Sequence, residues 1–232
     1  MRERLRFNGK ILSAKVFRRG VKWFVSISVE LSEPLPISPK TGQSIGIDLG
    51  ILNLATLSNG EVKAPLKALQ NKLSRLRRAN QALSRQQIGS RHRAKAKTKL
   101  GTLHNQVSNA RQDFLHQITT DLVRKYDEIC IEDLNVQGMM KNRKLARAIA
   151  DVGFHEFKRQ LLYKADQSGK VVKSVGRFFP SSKTCSGCGE ICHDLTLKIR
   201  SWQCQACGVM HDRDLNAAKN ILRYAETVLT TI

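Results

Sequence analysis

Four cysteines carry the most specific chemistry in this sequence. Cys185-x-x-Cys188 and Cys204-x-x-Cys207 stand fifteen residues apart, the spacing of a four-thiolate zinc ribbon. Each pair offers two sulfurs from one tight turn, Gly189 and Gly208 relax the backbone just behind, and four thiolates close a tetrahedral site. Two disulfides would use the same residues, but no secretory signal accompanies them, and cytosolic thiols stay reduced. A closed site leaves no open coordination position, so this zinc holds shape and does no chemistry. Cys192 sits close enough to be a spare ligand, although the symmetric knuckles leave it out; Cys130 reads as a core thiol.

A second chemistry lies in carboxylates at the ends of apolar strands. In Ser44-Ile45-Gly46-Ile47-Asp48-Leu49-Gly50 the residues Ile45, Ile47 and Leu49 share one face, with Gly46 and Asp48 on the other. A lone Asp buried as a charge is costly, and a metal ion with further carboxylates would relieve it. An Asp solvated at a sheet edge or capping a turn is the plainer alternative. Glu128-Ile129-Cys130-Ile131-Glu132-Asp133-Leu134-Asn135 repeats the pattern and ends in Glu132. A third acidic element follows the cysteines, in His211-Asp212-Arg213-Asp214-Leu215-Asn216-Ala217-Ala218. Asp212 is placed as an N-cap there, and the helix dipole favours both aspartates.

The elements that must position these groups read in order. Residues 10–17 and 21–29 alternate around Arg18-Arg19-Gly20 as a β-hairpin, and residues 31–40, with Pro34, Pro36 and Pro39, form a linker. After the Asp48 strand come a short strand over 53–57, the turn Ser58-Asn59-Gly60 and Glu61-Val62-Lys63. Leu66, Leu69, Leu73, Leu76 and Leu83, then Leu100, Leu103, Val107, Ala110 and Phe114, keep three- and four-residue steps on either side of Ile88-Gly89-Ser90. That spacing predicts an antiparallel helical hairpin over residues 66–126. Beyond the Glu132 strand the sequence predicts a mobile basic loop over 138–143, one helix over 144–168 capped at Gly169, and a strand over 170–175. Three strands, helices, strand, helix, strand suit an α/β layer with a mixed sheet.

Composition narrows the partners. Forty Lys+Arg against 19 Asp+Glu give a net charge of +21, which favours a polyanion and nucleic acid first. An anionic membrane surface ranks second, but there is no long apolar span and Met1-Arg2-Glu3-Arg4 leads into no signal-peptide core; a cytoplasmic protein without a membrane or small-molecule partner is expected. Residues 66–112 hold twelve Lys/Arg and no acid. Lys72, Arg75, Arg77, Arg78, Arg85, Arg91, Arg93, Lys95, Lys97 and Lys99 are the expected phosphate contacts, a salt-sensitive surface that reads no base sequence.

The motifs Gly46-Ile47-Asp48-Leu49-Gly50, Ile131-Glu132-Asp133-Leu134-Asn135 and Phe179-Pro180-Ser181-Ser182-Lys183-Thr184-Cys185 resemble the OrfB/TnpB family, as do the four cysteines and Asp212-Arg213-Asp214-Leu215-Asn216-Ala217-Ala218. Members are transposon-encoded relatives of type V CRISPR effectors, and the resemblance runs in order over residues 44–223. It implies an RNase H-like (RuvC) mixed sheet with an inserted helical hairpin and a zinc ribbon, and a guide RNA transcribed from the transposon end. Carried over residue by residue, Asp48, Glu132 and Asp214 would be the catalytic carboxylates. They would hold Mg²⁺ or Mn²⁺ for two-metal hydrolysis of DNA, with Asp212 the lesser candidate. Family members carry a longer N-terminal region, of which the hairpin over 10–30 matches the end of a β-barrel. The expected division is therefore 1–40 barrel remnant and linker, 41–177 nuclease domain, 178–210 zinc ribbon and 211–232 final helix. The competing expectation is a nuclease-inactive nucleic-acid binder with a transposon accessory or regulatory role.

Overall fold

Alternating branched and polar residues close into an antiparallel pair, β1 (Gly9–Arg19) and β2 (Lys22–Leu31). Gly20 takes φ +60° at the turn, the left-handed conformation that glycine adopts freely. The computed structural model describes residues 8–20, 22–33, 36–196 and 198–228. Met1 to Arg4, Val21 at the expected start of the second strand, Pro34 in the linker and residues 229–232 of the final helix lie outside them. Two compact units divide the chain: Met1–Pro36 with Ala68–Asp113, and Ile37–Lys67 with Phe114–Ile232.

In the first unit the hairpin is accompanied by α1 (Ala68–Ser84) and the first part of α2 (Arg91–Lys125). Much of the expected leucine seam is there: Leu76 buries against Val107, with Leu69, Leu100, Leu103 and Ala110 packed alongside, but Ala68 joins it, Leu66 stays exposed and Phe114 packs on the main core instead. Ile11, Leu12, Val16 and Trp23 of the β-hairpin remain exposed.

The second unit is built on a five-stranded sheet in the order β5-β4-β3-β6-β7. Its strands are β3 (Ser44–Leu49), β4 (Ala55–Leu57), β5 (Val62–Lys63), β6 (Glu128–Glu132) and β7 (Val171–Val175). β3, β6 and β7 run parallel, while β4 and β5 are antiparallel additions at one edge, so the sheet is mixed as expected. Ile45, Ile47 and Leu49 join Ile129 and Ile131 in the main core, covered by Leu115, Leu122, Phe154, Phe157 and Leu161. On the opposite face Cys130 and Val175 pack against Ile221 and Ala225 of α6 (Arg213–Val228), which accounts for Cys130 as a core thiol. The face split at period two is the one the sequence predicts.

Two expectations are corrected between β6 and β7. The predicted loop over 138–143 begins inside a short helix, α3 (Val136–Met140), because the Asn135 side chain accepts from the Gly138 N–H at 2.9 Å and caps it. The predicted single helix over 144–168 is two, α4 (Ala146–Val152) and α5 (Phe154–Gln167). Gly153, at φ 78° and ψ 41°, ends the first in the left-handed conformation and starts the second. After β7 the cysteine segment forms the small hairpin β8 (Ser201–Gln203) and β9 (Met210–Asp212), which leads directly into α6.

Candidate functional site

Asp48 lies next to last in β3, Glu132 ends β6, and these parallel neighbours point their C-terminal ends the same way. α6 crosses the face of the sheet that carries Gly46 and Asp48. A Cβ on Gly46 would stand 2.1 Å from the Ala218 carbonyl oxygen and 2.8 Å from Leu222 Cβ. Ala217, Ala218 and Ile221 are fully buried at that crossing. Glycine on the strand and alanines on the helix thus allow the close approach that brings the first turn of α6, and Asp214, over Asp48.

Asp48 is the carboxylate on which the others act. Burial first, then the charges of Glu132 and Asp214, push Asp48 up to about 8, with Arg213 and Arg200 opposing. Burial also raises Glu132, against a hydrogen bond from the Ser181 hydroxyl at 2.5 Å. Asp214 is held by two guanidiniums, Arg213 Nη2 at 3.1 Å and Arg200 Nη1 at 3.3 Å. Asp212 does what an N-cap does: its Oδ1 accepts from the Leu215 N–H at 2.9 Å. It is committed to the backbone, while Asp214 stands in the first turn. Glu132 also borders a cavity of about 440 Å³ lined by Leu49, Asp133, Leu134, Phe154, Lys158 and Arg177.

The cysteines converge as their spacing predicts. Their four sulfurs lie within 4.8 Å of one another, with Cys185–Cys207 and Cys188–Cys204 both at 3.6 Å. Tetrahedral zinc with Zn–S bonds of about 2.3 Å needs S–S separations of about 3.8 Å, so the donor set fits. Among the described residues no other group of three or more His, Cys, Asp or Glu has its ligand atoms gathered in this way. Cys192 packs against the ribbon's small core instead. The Cys207 backbone N–H leads in bringing the Cys204 thiol down to about 7, while Cys188 is pushed up to about 12 and Cys207 is also raised, so the crowded sulfurs do not all favour the thiolate by themselves. His211, buried in β9, puts Nε2 3.0 Å from Cys185 Sγ, and its ring lies tilted against that of Trp202 with centroids 4.8 Å apart.

The ten basic residues of the helical hairpin are not equivalent. Arg75, Arg77, Arg78, Arg85, Arg91, Lys95, Lys97 and Lys99 are exposed. Arg93 donates to the Leu83 and Gln86 carbonyls at 3.1 and 3.0 Å, closing the turn between the helices, and Lys72 donates to Gln106 Oε1 at 2.8 Å. Those two cations work on the hairpin itself.

Two residues of the carboxylate site escape the sequence reading. Ser181 lies in the Phe179 to Cys185 motif, but no periodicity aims its hydroxyl. Arg200 had a usable signal: counting outward from the second cysteine knuckle pairs Gln203 with Met210, Trp202 with His211 and Ser201 with Asp212. The next step sets Arg200 opposite Arg213, and the Arg213 N–H donates to the Arg200 carbonyl at 2.7 Å.

Comparison with known proteins places the chain among relatives. A family model described as a probable transposase, OrfB of IS605 type, matches residues 26–143, half of the chain, and a Cas12f1-like TNB domain model matches residues 154–221. A "Putative RNA-guided DNA endonuclease" of Streptomyces pristinaespiralis is 42% identical over 204 residues, covering 88% of this chain and 50% of that protein. The "Putative RNA-guided DNA endonuclease InsQ" of Escherichia coli K12 is 32% identical over 236 residues, covering 95% of this chain and 58% of the relative. The chain therefore spans about half the length of the curated relatives it matches. A cryo-EM structure of a Cas12f1–sgRNA–target DNA complex superposes with a TM-score of 0.56 at 17% identity, over 90% of this chain and 55% of that one, a likeness of fold.

Proposed function

The chain belongs to the OrfB/TnpB family of transposon-encoded proteins, and from that premise we propose that it is the nuclease-bearing part of an RNA-guided DNA endonuclease. On this reading the five-stranded sheet with α6 is an RNase H-like RuvC domain, and residues 178–210 form a structural zinc ribbon. What supports the proposal is the placement of Asp48 and Glu132 at the C-terminal ends of neighbouring parallel strands, with Asp214 in the first turn of the helix packed on Gly46, and the part the charges of Glu132 and Asp214 play in raising Asp48. Open α/β sheets bind ligands at that end. The oxygens of Asp48, Glu132 and Asp214 do not all close to the 4.8 Å that the four sulfurs reach, and a buried carboxylate raised by like-charged neighbours is relieved by a proton or by a metal that draws its ligands in. The donors are all hard oxygens, which suits Mg²⁺ or Mn²⁺.

When bound, a pair of such ions supplies an activated water and charge stabilisation at the leaving 3′ oxygen of a phosphodiester. The chain's residues provide the rest. Asp48 and Glu132 are fixed by neighbouring strands, and Asp214 by the first turn of α6, with Asp212 holding that turn in place. Arg200 and Arg213 neutralise Asp214 and lie where the phosphate's own negative charge would compete for them. In the first unit, the exposed cations of the helical hairpin offer a sequence-independent hold on DNA or guide RNA backbone.

The test is Mn²⁺-dependent cleavage of single-stranded DNA by the zinc-loaded chain. Cleavage leaving 5′-phosphate ends, and lost in Asp48→Asn, Glu132→Gln and Asp214→Asn, is expected. Cleavage that survives these substitutions removes the reading; tight DNA binding with no cleavage by the parent assigns the chain to an accessory, binding role.

A further inference from the structure

Ser181 is 3% exposed, and its hydroxyl donates to Glu132 Oε1 at 2.5 Å. Nothing in a loop between a strand and a cysteine knuckle guarantees such an aim. Two asparagines of α6 supply it. The Asn220 amide donates to the Ser181 carbonyl at 2.8 Å and to the Thr184 carbonyl at 2.6 Å. The Asn216 amide reaches the same two carbonyls at 3.4 and 2.7 Å, while its Oδ1 accepts from the Ser186 N–H at 2.9 Å. Both asparagines are buried.

Burying two carboxamides is costly unless their hydrogen bonds are made. Here those bonds go to one short loop, and the helix making them also carries Asp214. The buried Ser181 hydroxyl of that loop ends on Glu132. Asp214 and the aim of Glu132 are thus set by the same rigid body.

Resting on the reading of Glu132 as a cation ligand, we propose that Ser181 is a positioning residue for the metal site. Its hydroxyl pins one oxygen of the Glu132 carboxylate, so that the other would be the one left for a divalent cation. A carboxylate free to turn about its terminal bond would have to be ordered anew by each arriving ion. The Ser181 hydroxyl, held through its own backbone by Asn216 and Asn220, has done that ordering beforehand. Hydrogen-bond partners behind a ligating carboxylate are worth roughly 10- to 100-fold in metal affinity.

The experiment is Mn²⁺ titration of the zinc-loaded full chain, with free Mn²⁺ followed by its electron paramagnetic resonance signal. Ser181→Ala should weaken binding about 10- to 100-fold, and Ser181→Thr, which restores the hydroxyl, should stay within about threefold of the parent. Zinc content and the melting temperature in Mn²⁺-free buffer report the fold separately. A Ser181→Ala variant that melts lower but binds Mn²⁺ like the parent overturns the proposal, as does a Ser181→Thr variant as weak as the alanine. If Ser181→Ala does not fold, Ser181→Gly removes the same hydroxyl without adding bulk; failure of both to fold assigns Ser181 to the fold and overturns the role. Glu132→Gln separates the two claims. If it loses Mn²⁺ while Ser181→Ala does not, the positioning role alone falls; if Glu132→Gln binds as well as the parent, the ligand reading falls as well.

Discussion

Replacing Asp48 by asparagine should stabilise the protein in buffer without Mg²⁺ or Mn²⁺, and the gain should grow with pH. The carboxyl group of Asp48 moves from an ordinary 3.8 to about 8 on folding, through burial and the charges of Glu132 and Asp214. A raised acid binds more protons folded than unfolded across that interval, so ionisation opposes folding and stability falls as pH climbs from about 4 to about 8. At about 1.4 kcal/mol per pH unit, the ceiling on the loss is ~5 kcal/mol at pH 8 and ~2 kcal/mol at pH 5. Asp48 keeps part of its surface open to water, so screening holds the realised loss to roughly half of each figure. Asparagine keeps the shape and cannot ionise. At 2–4 °C per kcal/mol for a chain of this size, Asp48→Asn should melt about 5–10 °C above the parent at pH 8, and only about 2–4 °C above it at pH 5. Calorimetry at both pH values reads the difference directly. A pH-independent difference, or a variant less stable than the parent at pH 8, would refute the claim that burial and the charges of Glu132 and Asp214 hold the Asp48 carboxyl up.

Gly46→Ala must drive a methyl into the Ala218 carbonyl and Leu222, and should cost about 1–3 kcal/mol in urea unfolding; an alanine variant of parental stability would show that α6 does not approach as closely as described. Asp212→Ala should lose about 1 kcal/mol with Mn²⁺ binding retained, because its carboxylate caps the Leu215 N–H. Asp214→Asn should lose Mn²⁺ binding at near-parental stability, and the reverse pair of outcomes would exchange the two roles. DNA affinity should fall with salt at a logarithmic slope near −5 for about six phosphates. Arg77→Ala should shrink that slope by about 1, whereas Arg93→Ala, whose guanidinium closes the helical turn, should leave it unchanged. One zinc per chain should co-purify, and a folded ribbon in a zinc-free preparation would contradict the fit of the four sulfurs.

What the sequence made legible follows from what is periodic or local. The strands bearing Asp48 and Glu132 could be located because period-two alternation with isoleucines on one face leaves few alternatives, and the observed core keeps that split. Asp212 and Asp214 could be told apart because capping is a local matter of a side chain and its next three residues. Gly153 leaves no mark in the pattern because apolar spacing continues on both sides of it, and only its left-handed backbone separates α4 from α5. Asn135 hid α3 for a similar reason: a five-residue helix is decided by its cap, not by any repeat. Ser181 depends on Asn216 and Asn220 thirty-five and more residues away, and no local pattern encodes a hydroxyl's aim across that distance. Arg200 reaches Asp214 through a strand register, which can be counted only once the cysteine knuckle is known to be a turn.

The most direct measurement is an anomalous difference map at the manganese edge from crystals of the zinc-loaded chain soaked in Mn²⁺. Two peaks about 3.5–4 Å apart are predicted, bridged or flanked by carboxylate oxygens of Asp48, Glu132 and Asp214, with the Arg200 and Arg213 contacts to Asp214 loosened. A map with no manganese at these carboxylates, and with Asp214 still held by both guanidiniums at saturating Mn²⁺, would contradict the nuclease reading at its base.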